Sequence, residues 1–146
     1  MKLNSVLTLL FIALFTACKG GAYDLSGYGL KPDTGENASP LIAKALQEIA
    51  AEVNSDTVRI LLPKGRYDFY PEGASKREYF ISNHDQDNPK LVGLAFENMK
   101  NVIFDGQGSE LVFHGRMLPV SLVGSENCTL KNFSICLLYT SDAADD

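Results

Sequence analysis

The sequence predicts an all-β fold, a parallel β-helix whose N-terminal end is covered by one amphipathic α-helix. Three observations carry that expectation. A stretch of strand and turn residues matches a later stretch of the same chain at one constant offset. Short runs of alternating apolar residues are separated by Gly, Pro and Asn turns. A single helical stripe lies between Ser39 and Val53.

The 146 residues, 45% hydrophobic and 21% charged, suit a globular chain of about one domain. The formal charge is −5, but Asp142, Asp145 and Asp146 supply three of the acidic residues, so residues 1–141 carry only −2. No basic stripe is present to neutralise phosphates, which argues against nucleic acid as a partner.

Met1 to Asn4 gives a short positive start, and Val6 to Phe15 is an almost unbroken apolar run, too short to span a bilayer. It reads as a signal peptide. The run closes on Phe15-Thr16-Ala17-Cys18, which resembles a bacterial lipoprotein signal whose cysteine is lipidated after cleavage. Lipidation at Cys18 would tether the protein to a membrane of the cell envelope, on a side the sequence does not fix. Ordinary cleavage near Ala17, leaving Cys18 a free thiol, is the alternative. The other two cysteines, Cys128 and Cys136, suggest no disulfide framework.

Lys19 to Asn37 is rich in Gly, Asp, Ser and Pro and reads as a linker leading irregularly into the fold, with order starting near Tyr23. Ser39-Pro40 then looks like a helix start, with Ser39 as the cap. Leu41, Ile42, Ala45, Leu46, Ile49, Ala50 and Val53 follow at helical spacing. Past Asn54 the period falls to two. Val58, Ile60 and Leu62 alternate, Pro63-Lys64-Gly65 turns the chain, and Tyr67 and Phe69 alternate again. Tyr79-Phe80-Ile81 starts another such run, followed by the dense polar loop Ser82 to Pro89.

Leu91–Phe96 then lines up with Met117–Leu122, and Asn101–Phe104 lines up with Asn127–Leu130 at the same offset. Leu94 matches Val120, Phe96 matches Leu122, Asn101 recurs as Asn127, and Phe104 matches Leu130. A repeat of this length without helical period fits one coil of a parallel β-helix, each strand pairing with its counterpart one coil on. Asn at the recurring turn tolerates left-handed backbone geometry. The helix would cover the otherwise open N-terminal end of the stack.

These residues also carry a family resemblance. Glu78–Gln86, Asp105-Gly106-Gln107-Gly108-Ser109-Glu110, His114–Pro119 and Ser125–Ile135 closely resemble the N-terminal part of the α-1,3-galactosidases of glycoside hydrolase family 110, over about residues 23–135. The resemblance implies a right-handed, pectate-lyase-like parallel β-helix. It also implies a hydrolase that removes terminal α-1,3-linked galactose from glycans by inversion, with no metal or other cofactor. In that family the catalytic aspartates lie in later coils, so no catalytic residue is expected in this chain and the pair is expected downstream of Ile135. A truncated piece of this kind is expected to be inactive.

Within the chain, His84 and Asp85 of the polar loop are candidates for substrate contact, and the loop alone shows too few convergent ligands for a metal. His114 and Arg116 are further candidates, able to present a cation to sugar hydroxyls, although a turn explains them equally well. Asp105-Gly106-Gln107-Gly108 reads as a turn and lacks the strand-to-helix setting of a phosphate loop. Other readings stay open, namely another β-helix polysaccharide-active enzyme such as a lyase, or a non-catalytic glycan-binding surface lipoprotein.

The last residues, CLLYTSDAADD, share nothing with the repeat and resemble a transposon-based sequencing adapter translated in one frame. The chain is thus expected to divide into a lipoprotein signal peptide at 1–17 and a linker and lead-in at 18–37. The cap helix and first coils of a truncated catalytic domain would occupy 38–135, and a non-native tail 136–146.

Overall fold

The computed structural model describes residues 21–52, 57–80 and 88–138. The signal peptide, Cys18, the loop residues His84 and Asp85, and the tail from Tyr139 lie outside them. Eight strands and one α-helix follow in order: β1 (Ala22–Asp24), α1 (Ser39–Glu52), β2 (Val58–Leu61), β3 (Arg66–Phe69), β4 (Ser75–Arg77), β5 (Lys90–Glu97), β6 (Val102–His114), β7 (Leu118–Val123) and β8 (Thr129–Leu138). A 3-10 turn, Leu25–Tyr28, follows β1.

The strands form two sheets. In the smaller, β5 pairs with β7 in parallel and with β4 antiparallel. In the larger, every pairing is parallel: β1 with β2, β2 and β3 each with β6, and β6 with β8. β6 is long enough to serve both β2, along Val102–Asp105, and β3, along Glu110–Phe113, and between these stretches its register against β8 shifts, from Asp105 to Ser109. There Asp105 Oδ1 accepts the Gln107 amide at 2.9 Å, and Gln107 and Gly108 take φ of 52° and 86°. The expected turn is therefore a bulged bend inside a long strand.

The internal sequence match is the pairing register itself. Leu94 pairs with Val120 and Phe96 with Leu122 between β5 and β7, and Phe104 pairs with Leu130 between β6 and β8. Asn98, Asn101, Asn127 and Asn132 all hold positive φ between 53° and 59°, the left-handed turn geometry that Asn accepts most readily among residues with a Cβ. Identical side-chain periods let inward residues stack. The paired Phe69 and Phe113 lie with ring centroids 4.6 Å apart, and Phe104 meets both Phe96 and Phe133 edge-on at 5.6 Å. Burying one such ring is worth about 1.5–3 kcal/mol.

α1 lays Ile42, Ala45, Leu46 and Ile49 into the core that the sheets share and packs chiefly on β5. Its start differs from the expectation. Ser39 is the first helical residue, not the cap: its amide donates to Asn37 Oδ1 at 2.9 Å, and Ala38 O takes the Ile42 amide. Ser39 is fully buried, and its hydroxyl donates to Tyr70 O at 2.7 Å. Asn37, an Asx-turn former, was thus free to take the capping role while Ser39 satisfied the Tyr70 carbonyl just past β3.

Three further expectations shift. The lead-in joins the sheet, with β1 on its edge and Leu25 and Leu30 fully in the core. The run beginning at Tyr79 is not a strand through Phe80, and the strand lies earlier, at β4. Arg77 Nε donates to Glu97 Oε1 at 2.6 Å and Tyr79 Oη to the same oxygen at 2.9 Å, so this segment straps the outer face of β5. Phe80 is left 94% exposed. β8 also runs on past Ile135, with Cys136, Leu137 and Leu138 paired to Val112, Phe113 and His114.

Candidate functional site

Alternation along β3 puts Tyr67 and Phe69 in the core and Arg66 and Asp68 on the opposite face. The segment before α1 runs beside that face. Asp33 N donates to Arg66 O at 2.8 Å, Arg66 N returns a bond to Asp33 Oδ1 at 2.9 Å, and Ala38 N donates to Asp68 O at 2.8 Å. One register step past Phe69 and Phe113, Tyr70 and His114 stack with centroids 4.1 Å apart and planes 5° from parallel. The result is an open cleft of about 520 Å³ between the lead-in and the ends of β3 and β6.

Asp68 organises its wall. The carboxylate is almost wholly buried, and it accepts Arg66 Nε at 3.1 Å, Arg66 Nη2 at 2.8 Å and His114 Nε2 at 2.7 Å. The forked Arg66 bond, supported by the His114 bond, holds the Asp68 carboxyl below its ordinary range despite burial, which works the other way. An ionised carboxylate only accepts, so His114 Nε2 carries the proton and donates. Nδ1 is then left facing other partners, as an acceptor whenever the ring is neutral. Burying an unpaired carboxylate would be costly; here both oxygens are satisfied.

Of the residues singled out from sequence, His114 enters this cleft and Arg116 does not line it. Arg116 is exposed on the turn beyond, with no hydrogen bond or ion pair among the described residues. Arg66, Asp68, Tyr70 and Asp33 were not anticipated. The available signal was the pair of charges two apart in a strand whose other positions are Tyr and Phe, which places both charges on one face.

No family model matches the chain. Among curated proteins, it is similar to an α-1,3-galactosidase B of Phocaeicola vulgatus, 57% identical over 137 residues, which covers 92% of this chain and 23% of that protein. Its relatives are α-1,3-galactosidases. A second, from Parabacteroides distasonis, is 58% identical over 129 residues, covering 87% of this chain and 21% of the relative. An α-1,3-galactosidase A of Shewanella woodyi is 41% identical over 111 residues, covering 76% and 18%. The chain thus spans about a fifth of the length of the galactosidases it matches.

Proposed function

We propose that the complete protein is a glycoside hydrolase that removes terminal α-1,3-linked galactose from glycans, and that this chain supplies its opening part. The observation that carries the reading is the high identity, spread over most of the chain, to galactosidases several times longer. The resemblance of the quoted motifs to family 110 agrees with it. Inversion needs two carboxyl groups about 6.5–9.5 Å apart, one protonating the departing oxygen and one activating water on the other side of the ring. We place that pair downstream of Ile135.

The fold proposed for the complete protein is a right-handed parallel β-helix. Parallel pairing at one offset along β5 and β7 and over Ile103–Asp105 of β6 with β8, altered only past the bulge between Asp105 and Ser109, supports it, because a helical stack repeats each strand at a near-fixed spacing. α1 would then serve as the N-terminal cap. Export as a lipoprotein anchored through Cys18 is part of the same proposal and rests on the sequence Phe15-Thr16-Ala17-Cys18. His84, Asp85 and Arg116 remain proposed glycan contacts on sequence grounds, and His114 on both sequence and position.

Incubating the full-length protein with an α-1,3-linked galactobiose tests the reading by release of free galactose. The 146-residue chain should release none.

A further inference from the structure

The cleft walled by Arg66, Asp68, Tyr70 and His114 carries an inference of its own. The geometry points to a binding site for one neutral sugar ring, gripped through its vicinal hydroxyls. Three features of the cleft lead there.

The first is a set of uncommitted polar atoms. Arg66 spends Nε and Nη2 on Asp68, which leaves Nη1 without a partner among the described residues. His114 spends Nε2 and keeps Nδ1. Tyr70 makes its hydrogen bonds through backbone atoms while its ring stacks on His114, so its phenol oxygen is uncommitted among the described residues. A hydroxyl both donates and accepts, and this wall offers a donor, an acceptor and a group that does both.

The second is rigidity. Asp68 is itself buried and doubly held, and Tyr70 is pinned by Asn37 Oδ1 and Ser39 Oγ at 3.1 and 3.2 Å. A wall ordered before binding loses little entropy on meeting its ligand, which is what a weakly bound polar ligand requires.

The third is charge and size. Asp33 and Asp68 outnumber Arg66 among the lining residues, so an anionic ligand such as a phosphate would meet a net negative wall. The volume of about 520 Å³ falls in the ordinary range for small-molecule sites. Tyr70 and His114 line the cleft as one stacked pair, whose free face is of the kind that suits a sugar's apolar C–H face, and an apolar ligand would strand the polar atoms just named.

The choice of a galactosyl residue rests on the proposed function; the choice of a neutral sugar rests on the cleft. Titrating the 146-residue chain with α-1,3-linked galactobiose, followed through the ring resonances of Tyr70 and His114, should show saturable binding in the millimolar range. Tyr70→Phe keeps the ring stack and removes only the phenol, and should weaken binding roughly threefold or more. Tyr23→Phe, whose phenol bonds Glu52 away from the cleft, should leave it unchanged. Failure of galactobiose with saturable binding of a β-1,4-linked glucose disaccharide would overturn the galactosyl assignment alone. Failure of both sugars, or equal affinity in Tyr70→Phe, would overturn the cleft as a sugar site. Hydrolysis by the full-length protein is scored separately and would stand in either case.

Discussion

Asn127 donates its side-chain amide to Asn101 Oδ1 at 2.7 Å, joining two copies of the same turn position. Both residues hold left-handed backbone geometry, with φ of 53° and 56°. One residue type thus meets two requirements of the same corner: a positive φ at little cost and a bond to its copy in the neighbouring strand layer. Asn127→Ala removes both and should cost about 1–2 kcal/mol in chemical denaturation. Asn127→Gly keeps the backbone freedom and should cost less. Alanine proving no worse than glycine would show that backbone geometry is not limiting there.

Gly93 sits in β5 hard against the Phe113 ring and the Pro119 carbonyl. A Cβ at this position would press into the ring of Phe113 and come within 2.9 Å of Pro119 O. Neither neighbour can yield easily, because Phe113 is fully buried and stacked on Phe69. Gly93→Ala should lower stability by about 1–3 kcal/mol, read from the urea midpoint.

Acid should weaken the fold through two carboxylates. Arg66 lowers the pKa of Asp68, and Arg77 lowers that of Glu97. A depressed folded value means that the unfolded chain takes up protons first, so the stabilisation is present above the ordinary values of 3.8 and 4.5 and is lost as pH falls through the folded ones. Thermal melts from pH 6 to pH 2 should show a decline that flattens in Asp68→Asn, whose starting stability is already lower.

Alkali should act through Tyr67. Burial pushes its phenol from the ordinary 10.0 to about 12. The folded form holds the proton more tightly, so this contribution is intact below pH 10 and is lost as pH rises through about 12. Absorbance titration at the phenolate band should show a late-ionising tyrosine that is missing from Tyr67→Phe.

The repeat was legible because stacking forces like residues into one column, so a single self-comparison gave the strand register at Leu94, Phe96 and Phe104. α1 was legible from its stripe, though not its cap, since Asn37 and Ser39 compete for that role and only the Tyr70 carbonyl, which takes the Ser39 hydroxyl, decides between them. Asp68 was not legible as a site residue. A charge in a short strand reads as a solvated face until the lead-in segment, distant in sequence, folds back and closes it in, as the Ala38 amide does on the Asp68 carbonyl. β4 was missed because the strap over β5 is set by the reach of Arg77 and Tyr79 to Glu97, which leaves no periodic trace.

The most direct test of the account is the anomeric form of the sugar released by the full-length protein from an α-1,3-linked galactobiose, followed by proton NMR from the first minutes. The account predicts free galactose that appears first as the β-anomer. No release, an unsaturated product, or galactose appearing first as the α-anomer would contradict it.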